Sequence, residues 1–147
     1  MYRVLLFMHI FSAIVWFGGA VFSEALVAMS RRKGDRQYVA TWTSVAETGA
    51  RVYPFATILL IGTAIAMVVQ RWSFGTMWID VALGLFVLSF VIGIAYFSPR
   101  GKKITRAFEA GDDVPGLVAR IRPVQMLQRV DLLVLTAILI LMIYKPS

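Results

Sequence analysis

The sequence contains no cysteine and a single histidine among 147 residues. The first absence excludes disulfides, zinc–thiolate sites, iron–sulfur clusters and thiol nucleophiles, while leaving the redox compartment open. Charge is also scarce, at 16% of residues against about 25% in a soluble domain. Eight acids and fifteen bases are too few to coat the outer faces of a water-soluble helical bundle of this length. The chain has no paired carboxylates arranged for hydrolysis, no nucleophile elbow, no phosphate loop, no internal repeat and no low-complexity tract. What is there is apolar: 59% of residues are hydrophobic and the mean hydropathy is +0.76.

Lipid is the solvent this composition fits. Runs at 4–23, 52–70 and 81–99 carry no formal charge over about the 20 residues a spanning helix needs. A fourth run, 132–144, reaches that length when extended back to Val124, with Arg129 snorkelling to the head groups and Asp131 facing protein. The apolar stretch of the first run is too long for a signal peptide, and its basic cluster follows rather than precedes it. The expected fold is an all-α integral membrane four-helix bundle, one domain over 1–147, with spans at about 4–29, 52–70, 79–98 and 124–144.

Orientation follows from the bases. Arg31, Arg32, Lys33, Arg36 and Arg51 flank the first connection, and Arg100, Lys102, Lys103, Arg106, Arg120, Arg122 and Arg129 flank the third. Arg3, Arg71 and Lys145 are the three on the opposite side. Basic loops stay in the cytoplasm, so both termini are expected on the outer side. The net charge of +7 is gathered in blocks beside apolar runs, which fits membrane lipid and not nucleic acid. Tyr38, Trp42 and Val45 form one apolar helical face in the first connection, which either lies at the interface or extends the second span. In the third, Ile104 pairs with Phe108, Gly111-Asp112-Asp113 breaks the pattern, and Leu117 with Ile121 makes another turn before Pro123 opens the fourth span.

The candidate chemistry centres on His9, about 8 Å inside the first span at 1.5 Å per residue. His9, Ala13, Trp16, Ala20 and Ser23 share one stripe, edged by Gly19 and Glu24, which should face the bundle. An imidazole there either hydrogen-bonds across helices or serves as a metal ligand or proton-handling group. Gly18-Gly19 makes room for a neighbouring backbone or for a flat cofactor. Asp131 needs a base, and Arg51 is the better interhelical candidate because Arg129 does not share its face. Met67, Met77 and Met142 lie in the same outer third as His9, either as packing or as thioether ligands for Cu(I).

His9, Trp16-Phe17 with Gly19, Arg51-Val52-Tyr53, Trp78-Ile79 and Tyr144-Lys145-Pro146 together resemble the HemJ-type membrane protoporphyrinogen oxidases. The same pattern resembles the CopD-like copper proteins and an uncharacterised family of predicted integral membrane proteins of this size. The HemJ resemblance implies a haem-b-binding redox protein with His9 as axial ligand beside Trp16 and Gly19, and hence a haem-dependent oxidoreductase. HemJ-type chains carry a histidine after the tyrosine that opens the second span, where this chain has Pro54, and a basic residue after the third-span tryptophan, where it reads Ile79-Asp80. A second axial ligand would then come from Met67, Met77 or Met142 or from a second subunit, or the position would stay open. Arg3 and Arg71 are the cations available to propionates at the outer end. The alternatives are copper bound by His9 with the three methionines, and an accessory subunit of a larger membrane complex. A homodimer and a bacterial inner (plasma) membrane are the expected settings.

Overall fold

The computed structural model describes residues 1–144. Lys145, counted above as an outer cation, lies outside the described residues, as does Pro146. Four helices run through nearly all of the rest: α1 (Tyr2–Arg31), α2 (Asp35–Arg71), α3 (Met77–Glu109) and α4 (Val114–Tyr144). Each is apolar and long enough to cross a bilayer. The reversals are short. Gly111 takes φ +83° between α3 and α4, a backbone conformation that a side chain would strain. At the other end of the bundle Gly75 has φ +98° and donates its N–H to Asp80 Oδ1 at 3.3 Å, so that Asp80 closes the α2–α3 turn.

The helices outrun the apolar runs because their polar extensions also pack. Tyr38 and Trp42 belong to the same uninterrupted helix as the second span and are buried with Val27, Val39, Ile104, Leu117, Val118, Ile121 and Val124 in a core at the arginine-rich end. Of the alternatives for that face, extension of the span is the one realised. Pro123 does not open the fourth span as expected. Helix α4 begins at Val114, and Pro123 sits inside it on an exposed face, where its missing N–H breaks one hydrogen bond without ending the helix.

A second core of Leu60, Ala82, Phe86, Leu135 and Ile138 occupies the middle of the apolar layer, with Ala13, Trp16 and Ala20 packed against it. It is looser than the first. Of the six large side chains buried most completely, Tyr38, Leu117, Ile121, Val39 and Val124 lie at the basic end. Water surrounds that end and drives burial at about 1.5–3 kcal/mol per large apolar side chain. Lipid surrounds the middle, where an outward Phe55 or Ile58 pays no such penalty and remains exposed. Helix α1 packs on α2, α3 on α4, and α2 on α4. Helices α2 and α3 meet at the basic end, through Ser98–Glu109, but scarcely touch within the apolar layer.

Candidate functional site

His9 is 9% exposed and turns toward α2. Its Nδ1 lies 3.3 Å from the Leu60 carbonyl and 3.1 Å from Thr63 Oγ1. A carbonyl only accepts, and the Thr63 hydroxyl already donates to Leu59 O at 2.7 Å. The network therefore assigns the ring proton to Nδ1 and the lone pair to Nε2. Among the described residues Nε2 has no hydrogen-bond partner, and no sealed side-chain nitrogen or oxygen is left unbonded. Nε2 therefore opens to a surface. Beside this pair runs an apolar groove of about 450 Å³ on the lipid-facing flank, lined by Leu5, Phe55, Ile58, Leu59, Gly62 and Thr63.

The rest of the sequence-derived set divides. Trp16 lies in a π turn at Ile14–Gly18 and packs against Phe86 with the rings tilted by 48° and their centroids 4.8 Å apart. The space at Gly19 is taken by Tyr53: a Cβ on Gly19 would stand 3.2 Å from the Tyr53 hydroxyl, and one on Gly49 would stand 2.8 Å from its ring. The room made there serves an aromatic side chain of α2, neither a backbone nor a cofactor. Arg71 stacks over the Tyr2 ring at 4.4 Å, and Arg3 is exposed beside it in sequence. Met67 is half-buried one turn beyond Thr63 on the same helix face, Met77 is exposed, and Met142 packs against the central core. No three His, Asp or Glu residues are grouped to hold a metal among the described residues.

The expected Asp131–Arg51 ion pair does not form. Asp131 instead accepts a hydrogen bond from Ser89 Oγ of α3 at 2.6 Å. Arg129 pairs with Glu24 of α1, whose carboxylate also accepts from Gln125 Nε2 at 3.3 Å. Two residues of helix are about 200° of rotation, so Asp131 and Arg129 address different neighbours. Arg51 stays exposed, where its guanidinium keeps its hydration rather than paying to be buried.

These groups surround a cavity of about 710 Å³ to which all four helices contribute. Trp16, Ser23 and Glu24 come from α1, Arg51, Tyr53 and Thr57 from α2, Ser89 and Thr105 from α3, and Arg129 and Asp131 from α4. Both π turns border it, the second at Gly93–Phe97 in α3. Such turns widen a helix locally and recur at functional sites. Pro54 also lines it and, lacking an N–H, cannot bond the carbonyl of Ala50, another lining residue. Sequence reasoning placed the key polar site at His9 and missed this cavity. The available signal was the hydroxyls of Thr57 and Ser89 inside apolar runs.

No curated protein and no solved structure matches the chain. Its residues 3–146 match a family of predicted integral membrane proteins, DUF2269. Four helices long and apolar enough to cross a membrane agree with that description, and with a match over nearly its whole length the chain belongs to DUF2269.

Proposed function

We propose that this protein binds haem b through His9 and serves as a HemJ-like redox protein of a bacterial inner membrane. The observation that carries the reading is the imidazole itself: Nδ1 is held by Leu60 and Thr63 while Nε2 is unbonded and open. Ligating histidines characteristically donate their other ring N–H to a carbonyl, which fixes tautomer and orientation. The surroundings support the reading in kind, although His9 itself is not among the residues that line the nearby groove. The groove beside Thr63 is apolar, Arg3 and Arg71 stand at the same end of the bundle for propionates, and Met67 shares the Thr63 face as a second ligand. A second copy of the chain is the other source of an axial ligand, because one chain has one histidine. When bound, the haem would supply one-electron chemistry. The residues themselves would hold the ring, exclude water and anchor the carboxylates.

The test is an absorbance spectrum of protein purified after haem-sufficient expression. A Soret band that disappears in His9→Ala and weakens in Thr63→Val is expected. Thr63→Val removes one partner of Nδ1 without removing the ligand, and second-partner losses cost about 10- to 100-fold in affinity. Stoichiometric copper without a Soret band would move the site to the CopD-like reading, with His9 and Met67 as its first ligands. Colourless, metal-free protein that co-purifies with another membrane subunit would replace both with the accessory role.

A further inference from the structure

The cavity at the basic end of the apolar layer contains hydrogen-bonding capacity that the protein leaves unused. Thr57 and Thr105 are 5% and 9% exposed, yet neither hydroxyl has a partner among the described residues. Thr43, Thr48, Thr63 and Thr136 each return their hydroxyl to the carbonyl one turn back. Because no sealed polar atom is left unbonded, the Thr57 and Thr105 oxygens face the space they line. Asp131 is undersupplied as well. Its carboxylate receives one hydrogen bond, from Ser89, although an ionised carboxylate offers about four acceptor sites. Glu24 is paired with Arg129, whereas Asp131 is a half-buried carboxyl group of the cavity with no basic partner among the described residues.

The same cavity is open on one flank. Helices α2 and α3 meet along the basic end of the cavity through Ser98–Glu109 and part farther into the apolar layer, where Ile58 and Ile94 line the cavity while being 67% and 59% exposed on the lipid side. Arg51, Lys102 and Arg106 stand on the two helices that bound this gap, toward the basic end, where Glu47 and Glu109 also line the cavity. An apolar slit, a carboxyl group without a basic partner within and cations at the head-group level fit an occupant with a tail, a donor-bearing cationic head and an anion beside it.

We infer that the cavity binds an amphipathic amine that enters from the bilayer between α2 and α3. Its ammonium group donates to Asp131, its neighbouring polar atoms meet Thr57, and its tail leaves past Ile58 and Ile94. An aminophospholipid satisfies every element, with its phosphate toward Arg51 and Lys102; a free long-chain amine satisfies all but the last. Its polar residues are distinct from His9 and Thr63, and Ile58 borders both this cavity and the groove beside Thr63.

The test uses the full-length protein released from nanodiscs of equimolar phosphatidylethanolamine and phosphatidylglycerol, with bound lipid counted by native mass spectrometry, alongside a dodecylamine titration in detergent. One retained phosphatidylethanolamine per chain is expected, preferred at least tenfold over phosphatidylglycerol. Asp131→Asn should reduce that preference by about tenfold, the scale of one hydrogen bond to a charged group. Ile94→Trp fills the slit without touching the polar set and should lower retention while the protein elutes as folded wild type does. This variant keeps the test decisive if Asp131→Asn fails to fold. Saturable dodecylamine binding that depends on Asp131, without retained phosphatidylethanolamine, would support the amine site and identify the free amine as its source. Equal retention of the two lipids, binding unaffected by either substitution, or no binding of either amine would overturn the proposal.

Discussion

Tyr38 donates its phenolic hydrogen to Gln125 Oε1 at 2.5 Å, joining α2 to α4 in the tightest part of the bundle. Gln125 in turn donates to Glu24, which holds Arg129, so one chain of hydrogen bonds ties α1, α2 and α4 together at the wall of the cavity. Tyr38→Phe keeps the ring packing and removes the donor, leaving a buried amide oxygen unsatisfied. A loss of about 1–3 kcal/mol is expected, read as a lower unfolding midpoint in detergent. An unchanged midpoint would mean that water replaces the hydroxyl.

The Glu24–Arg129 pair is the second target. Arg129 is half-exposed, so screening limits what the pair contributes. A double-mutant cycle with Glu24→Gln and Arg129→Gln should return a coupling of about 1 kcal/mol. Coupling near zero would reduce the contact to a surface ion pair without net stabilisation.

Gly49 and Gly84 separate close approach from mere helix composition. A methyl group at Gly49 would stand 2.8 Å from the Tyr53 ring, whereas one at Gly84 meets nothing within 4 Å. Gly49→Ala should therefore destabilise by about 1–3 kcal/mol as Tyr53 is displaced, and Gly84→Ala should be neutral or stabilising by up to about 1 kcal/mol. Thermal unfolding of the two variants in one detergent decides the matter; a neutral Gly49→Ala would show that Tyr53 moves freely.

Orientation is open to direct labelling. Ser30, at the same end as the basic cluster, is buried with its hydroxyl bonded to Val27 O, which makes it a poor reporter. Lys33 and Ser73 are exposed in turns at opposite ends of the bundle. Cysteine at Lys33 should react with an impermeant maleimide only after the membrane is opened, and cysteine at Ser73 should react from outside, as the distribution of bases requires. The reverse pattern would invert the bundle.

The number of helices, their class and the basic end were legible from the sequence, because hydropathy over a spanning length and the placement of Lys and Arg are local properties that need no partner. That His9 turns inward was legible for a related reason, since a stripe at helical period says which face turns inward, but its partners on α2 were not. Tertiary structure alone decided which side chains meet across that face. Asp131 has Ser89 rather than Arg51, and Gly19 accommodates Tyr53, since the choice depends on the rotation and splay of whole helices, which no short window of sequence contains. The cavity is the extreme case. It exists because α2 and α3 stand apart in the layer where lipid, not water, covers their sides, and where the hydrophobic effect no longer forces them together.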